Sequence, residues 1–297
     1  MIKILIPLED RTSNADITVV FSDFDNTFAV DGVVPKKNIR ALRDYLDANI
    51  LNHFVLASAR PKYSLVNVLD KHGMKDLVDN ESISICSFNG LLSYYKGFKI
   101  NDTHLPFDVV SDIAALTGLN DLVMFHSGNT SYGSIPREWS EWEKVNLHYE
   151  FKPLPKDLRN AKVYLIEVLQ TNKRRLDSVV STFNHERPGI TTYSFLTPFS
   201  NPLPEKVTKV WHMLRADVDK GSILPVYMEY TGMSPENFLV LGDSINDYAA
   251  LIHPGVNSVL TGIPEESLRQ KLEVHDSRIY TAPGETGFAD ALKAFSR

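Results

Sequence analysis

Apolar residues in this chain fall into short continuous runs separated by polar stretches with helical spacing. Ile17 to Phe21 reads ITVVF, a β-branched run suited to a strand buried on both faces of a parallel sheet. Lys36 to Asn49 places Ile39, Leu42, Tyr45 and Leu46 on one helical face, with Pro35 suited to its first turn. His53 to Ala57 reads as the next strand, Tyr63 to His72 as a helix closed by Gly73, and Ile83 to Ser87 as a third strand. Residues 17–90 therefore read as βαβαβ, which predicts a parallel sheet with right-handed crossovers.

Beyond Gly90 the rhythm changes. Leu91 to Ile100 predicts a hairpin around Lys96 and Gly97, followed by an amphipathic segment, Val109 to Leu116, and strand-like runs at Leu122 to Phe125 and Val163 to Leu169. Pro188 to Pro204 is uncharged and carries four prolines, so the return to the first pattern is expected between there and Asp219. The alternation then resumes with a helix from Lys220 to Tyr230, which Pro225 should kink or restrict in its hydrogen bonding. A strand at Phe238 to Leu241, a helix at Ile245 to Ile252, a strand at Val256 to Leu260 and two weaker elements complete the chain. These boundaries predict a core of residues 1–90 and 215–297 interrupted by an inserted domain, 91–214.

Composition narrows the function classes. The 297 residues are 43% hydrophobic and 23% charged, as in globular proteins. Lys and Arg number 31 against 37 Asp and Glu, a net charge of -6 with no basic run, so neither nucleic acid nor an anionic membrane is an expected partner. Cys86 is the single cysteine, which excludes an internal disulfide or a multi-cysteine zinc site and fits a reducing compartment. The apolar stretch Ile4 to Leu8 is shorter than a secretion signal requires and runs into Glu9, Asp10 and Arg11. No window approaches the ~18 apolar residues of a membrane span. A cytoplasmic location is the expectation.

In an open parallel sheet, ligands bind beyond the carboxyl ends of the strands. Four polar sequences occupy such places: Asp23-Phe24-Asp25-Asn26-Thr27, Ser58-Ala59-Arg60, Asp219-Lys220-Gly221, and Gly242-Asp243-Ser244-Ile245-Asn246-Asp247. Each alone has an ordinary structural reading as an Asx turn, a helix cap or a surface charge. Together they bring several carboxylates to one sheet edge, where two like charges ~4 Å apart repel by about 4 kcal/mol at an effective dielectric of 20. Such a cluster calls for cations. Mg2+ takes carboxylate, water and phosphate oxygens, and Lys220 neutralises a further charge. A carboxylate can then attack phosphorus to give an aspartyl-phosphate.

In this order the motifs resemble the haloacid dehalogenase-like (HAD) superfamily. DFDNT is similar to its DxDx[TV] motif, LASAR at Leu56 to Arg60 to its second motif, DKG to its lysine motif and GDSIND to its acidic fourth motif. The insert and the SFNG sequence at Ser87 to Gly90 resemble the Cof-type, class IIB branch. The resemblance implies an α/β fold, a Rossmann-like, doubly wound, mainly parallel sheet with an inserted α+β C2-type cap. It further implies a Mg2+-dependent phosphomonoester hydrolase acting on a small phosphorylated metabolite, with a sugar phosphate the favoured substrate. Asp23 would be nucleophile and metal ligand, and Asp25 the general acid and base, also binding the metal through its carbonyl. Ser58 and Lys220 would hold the phosphoryl group. Asp243 and Asp247 would join the metal site, with Asp247 and Asn246 organising the groups behind it. Asn89, Asn246 and Arg60 would face the substrate.

Two positions depart from the family pattern: Ala59 replaces a glycine, and LTGIP at Leu260 to Pro264 replaces a GNA-like turn. A sugar phosphomutase of the same superfamily, a phospho-acceptor module like bacterial receivers, and a catalytically silent metabolite-binding protein are the alternatives. Arg137, Trp139, Trp142 and Lys144 form an aromatic and basic cluster best read as cap packing with solvated charges. The nine histidines show no paired-ligand spacing, and GETG at Gly284 to Gly287 is too weak to mark a nucleotide site.

Overall fold

A computed structural model describes residues 5–11, 16–116, 123–128, 130–133, 140–141, 144, 151–153, 158–159, 161–171, 177–195, 207–262, 264–273, 275 and 279–295. The chain divides into two compact units. The first comprises residues 1–59, 66–101 and 219–297, the second residues 60–65 and 102–218. No helix among the described residues is long and apolar enough to cross a membrane.

Strands β1 (Leu5–Pro7), β2 (Val19–Asp23), β3 (His53–Ala57), β4 (Ile83–Ser87), β5 (Leu92–Tyr95) and β6 (Phe98–Asp102) precede the second unit. That unit holds β7 (Val123–Ser127), β8 (Thr130–Gly133), β9 (Phe151–Lys152), β10 (Val163–Thr171), β11 (Ile190–Phe195) and β12 (Val207–Arg215). Strands β13 (Phe238–Gly242), β14 (Asn257–Gly262) and β15 (Ile279–Pro283) complete the first unit.

The first unit is built on a nine-stranded sheet in the order β1-β15-β14-β13-β2-β3-β4-β5-β6. From β1 to β4 every described pairing is parallel, and β5 then runs antiparallel to β4. The sheet is doubly wound. Strand β3 shows why its sequence is continuously apolar: Val55 and Ala57 join a core with Leu224, Tyr227, Leu251 and Leu268, whereas Phe54 stacks with Phe28 and Phe288 on the other side. Helices Lys36–Asp47 and Gly287–Phe295 pack together, and the buried Asn38 ties them to the loop after β2. Its amide donates to the Phe28 and Glu285 carbonyls, and its oxygen accepts from Ala289.

Strand β2 lies between β13 and β3, so the chain winds away from β2 in both directions. This is the topological switch, the position where open α/β sheets bind ligands.

Three expectations need correction. The hairpin at 92–102 belongs to the large sheet rather than to the insert, because Cys86 and Ser87 on β4 pair with Ser93 and Leu92 on β5. At the return, residues 215–218 group with the second unit. Pro225 starts a helix, Leu224–Thr231, instead of kinking one. Its missing N–H falls where a helix needs no donor.

The second unit carries a six-stranded sheet, β11-β12-β10-β7-β8-β9, antiparallel except for β8 with β9. Helices Phe107–Leu116 and Asp177–Glu186 supply Val110, Ile113, Val180 and Phe183 to a core with Phe125, Ile166, Val168 and Met213. On the alternate strand positions Glu167 lies across from Met124 and from His212. Of the aromatic and basic cluster, Arg137, Trp139 and Trp142 lie outside the described residues, and Lys144 is exposed.

Candidate active site

Asp23 is the last residue of β2 and pairs in register with Ala57 on β3. On its other side Leu241 pairs with Ser22, so Gly242 is its neighbour on β13. Ser58 and Asp243 each lie one residue beyond those neighbours. Two parallel strands thus deliver the first and fourth motifs to the same edge.

Lys220 comes from the turn that opens the last third of the unit, where Asp219 and Ser222 exchange hydrogen bonds between backbone N–H and side chain. Its ammonium is fully buried. It donates to Asp23 Oδ1, to Asp247 Oδ1 at 2.6 Å and, at 3.5 Å, to Asn246 Oδ1. The other Asp247 oxygen accepts the backbone N–H groups of Asp243 at 3.1 Å and Ser244 at 3.0 Å. Asp247 reaches them because its loop folds back over Gly242, where a Cβ would lie 2.5 Å from the Asp247 side chain.

Carboxylate oxygens of Asp23, Asp243 and Asp247 all lie within 4.8 Å of one another, and all three residues are buried. With all three ionised, one ammonium would leave two negative charges in excess. Burial, reinforced by the neighbouring acids, outweighs Lys220 and pushes Asp23 up to about 8 and Asp243 up to about 10. Lys220 is held above its ordinary range, since Asp23 and Asp247 together overcome its own desolvation. The donor set is entirely oxygen, and Thr27, at 3.1 Å from Asp243 Oδ1, is that carboxylate's side-chain donor. A hard divalent cation suits both the charge and the ligand chemistry.

Other predicted residues join the same unit. Asp25 is half-buried in the turn after β2, bridged through its backbone to Ala29, and its charge helps raise Asp23. Ser58 is buried; its N–H donates to Cys86 O, and its carbonyl accepts from Asn89 N at 2.9 Å. Phe88, Asn89 and Gly90 have φ of 51°, 55° and 110°, three successive left-handed residues that place Asn89 beside the acid loop. Asn246 Nδ2 lies 3.4 Å from Asn89 Oδ1. Arg60 is buried but belongs with residues 61–65 to the second unit, apart from the unit that carries the acids.

Thr27 and Thr261 were not singled out by sequence as site residues. Thr27 lies within DFDNT, four residues beyond the end of β2, and Thr261 follows the apolar run of β14, a strand-end position like that of Asp243.

The family model described as haloacid dehalogenase-like hydrolase matches residues 20–259. The chain belongs to this family. The haloacid dehalogenase-like fold is shared with a hydrolase of that description from Bacteroides thetaiotaomicron, at TM-score 0.73 and 20% identity over 93% of this chain and 98% of the other. A HAD/COF-like hydrolase from Plasmodium vivax superposes at TM-score 0.77 and 16% identity, covering 97% of this chain and 98% of its own. A structure described as a HAD subclass IIB sugar phosphatase matches at TM-score 0.70 and 18% identity, over 94% and 98% of the two chains. At these identities the likeness is one of fold. Comparison with curated protein sequences finds no match.

Proposed function

We propose that this haloacid dehalogenase-like hydrolase is a Mg2+-dependent phosphomonoesterase that hydrolyses a small phosphorylated metabolite, a sugar phosphate, through an aspartyl-phosphate on Asp23. The observation that carries the reading is the charge balance at the switch point: three buried carboxyl groups share one ammonium, so their ionised forms lack two positive charges, the charge of one divalent cation. Asp23 and Asp243, with the carbonyl of Asp25, would hold Mg2+, which when bound neutralises charge on the phosphoryl oxygens. Asp247, with both oxygens engaged, holds Lys220 and the loop that carries Asp243.

In the proposed reaction an Asp23 oxygen attacks phosphorus while the ester oxygen leaves, taking its proton from Asp25. Asp25, now ionised, removes a proton from water. The resulting oxygen nucleophile attacks the aspartyl-phosphate, releasing inorganic phosphate and restoring the Asp23 carboxylate. Lys220 and Ser58 would hold the transferring group, and Asn89 and Asn246 would meet the rest of the substrate. We assign catalysis to the unit holding the acids and substrate selection to the inserted unit.

Inorganic phosphate release from a panel of sugar, nucleoside and cofactor phosphomonoesters, with Mg2+ and with chelator, tests this proposal. Metal-dependent release by wild type that disappears in Asp23→Asn is the expected result. Unchanged release by Asp23→Asn would remove Asp23 as nucleophile. Isomerised sugar phosphate without free phosphate would replace hydrolysis with mutase chemistry.

A further inference from the structure

The end of β14, with Glu265 just beyond it, belongs to none of the four motifs, yet it grips both loops that face the proposed metal site. Thr261 and Thr27 are fully buried. Thr27 donates to Asp243 Oδ1 at 3.1 Å, and the Thr261 and Thr27 hydroxyl oxygens lie 3.3 Å apart. A hydroxyl has one proton. With the Thr27 proton committed to the carboxylate, the Thr261 proton points to the Thr27 oxygen. Two hydroxyls in series strengthen one another in a low-dielectric interior.

The backbone at Gly262 and Glu265 completes the grip. Gly262, at φ 64°, lies so close to the DFDNT loop that a Cβ would sit 1.7 Å from the Asn26 carbonyl oxygen. The Glu265 N–H donates to the Asp243 carbonyl at 2.9 Å, and Glu265 Oε2 accepts from Ile245 N at 3.0 Å. Asp243 is therefore restrained at its carboxylate through Thr27 and Thr261 and at its backbone through Glu265.

We propose that Thr261 and Glu265 are positioning residues that hold the Asp243 carboxylate in the orientation a divalent cation requires. This inference rests on the reading of Asp243 as a metal ligand. Hydrogen-bond partners behind a ligand commonly set metal affinity by about tenfold or more, and Thr261 acts one bond further back.

The test is direct metal binding to metal-free protein, with Mg2+ followed by calorimetry and Mn2+ by electron paramagnetic resonance. Thr261→Val, which removes the hydroxyl at nearly constant shape, should raise both dissociation constants about three- to tenfold. Thr261→Ser should return them to within about twofold of wild type. Glu265→Ala, at an exposed position, keeps the backbone N–H on the Asp243 carbonyl but removes the acceptor that holds Ile245 N in the Asp243 loop; it should weaken binding about threefold and serves as the second variant if Thr261→Val does not fold. Asp243→Asn should abolish binding. Wild-type affinity in both Thr261→Val and Glu265→Ala, with binding still lost in Asp243→Asn, overturns this inference and leaves the metal site standing. Absence of binding in wild type, or full binding by Asp243→Asn, overturns the metal site and the inference with it.

Discussion

Lys220 Nζ lies 2.6 Å from Asp247 Oδ1, with neither side chain more than 2% exposed. The same ammonium meets Asp23, so one cation serves two buried carboxylates. Lys220→Met would keep most of the volume and leave both acids without their counter-charge. Removing one member of a buried ion pair typically costs 3–5 kcal/mol. Urea unfolding of the metal-free variant at neutral pH should show a loss of about that size, and a loss below about 1 kcal/mol would mean that the pair does not carry the site.

The acid cluster also sets a pH dependence. Burial pushes Asp23 up to about 8 and Asp243 up to about 10. In the unfolded chain both titrate near the ordinary carboxylate value of about 3.9. The folded protein thus keeps protons that the unfolded chain has lost, and this contribution is full below the unfolded pKa and fades as pH rises through the folded values. Without metal, the melting temperature should fall between pH 5 and pH 9 by scanning calorimetry. The increase produced by Mg2+ should grow over the same interval, since the ion binds the ionised carboxylates. A metal-free melting temperature that rises with pH would contradict the sign.

Replacing Asp243 by Asn tests the same balance at fixed pH. The substitution replaces a carboxyl that the metal-free folded protein must keep protonated at this pH, and that ionises on unfolding, while keeping an oxygen for Thr27. The expected result at pH 8 is a metal-free protein more stable than wild type by about 1–2 kcal/mol, with no response to Mg2+, a trade of stability for function. A less stable variant that still responds to Mg2+ would contradict it.

Gly262 and Gly284 provide a matched comparison. Both have positive φ, 64° and 93°, but a Cβ on Gly284 meets nothing within 4 Å, whereas one on Gly262 would overlap the Asn26 carbonyl. Gly284→Ala should cost about 1–2 kcal/mol, the backbone term alone. Gly262→Ala must in addition displace the DFDNT turn and should weaken Mg2+ binding, which Gly284→Ala should leave near wild type. Equal losses in the two variants would show that the close approach has no energetic weight.

Much of the first unit was legible because its signals are local. A strand buried on both faces is largely apolar, so β2, β3, β4 and β13 stood out, and the acids follow directly where the apolar runs end. The hairpin at 92–102 was misplaced because a hairpin does not announce which sheet it will join, and that depended on pairing with β4. The Thr261–Thr27–Asp243 chain was hidden for a similar reason, since it joins residues far apart in sequence whose types are individually unremarkable. Asn38 was invisible as a core residue because its partners are backbone carbonyls brought together by other elements.

In the inserted unit, Glu167 is buried between His212 at 3.2 Å and His126 at 3.5 Å. Burial alone would raise its pKa, but the two neighbouring imidazoles prevail and bring it down to about 2. A carboxylate with a depressed folded pKa contributes stability that is present above its unfolded value and lost as pH falls towards the folded one. Glu167→Gln should therefore abolish a component of acid unfolding between about pH 4.5 and pH 2. It should also lower stability at neutral pH, and both effects are readable by circular dichroism across a pH series. An acid transition unchanged from wild type would show that Glu167 is not ionised in the folded protein.

Strand β1 covers β15 with only three residues and closes on Pro7, which has no N–H to offer a further strand. Without it, the five residues of β15 would form an open, apolar margin to a parallel sheet, a template onto which another chain could add. The N-terminal strand thus gives this side of the sheet a deliberate stop. Its loss would be felt less in catalysis than in the tendency of concentrated protein to self-associate.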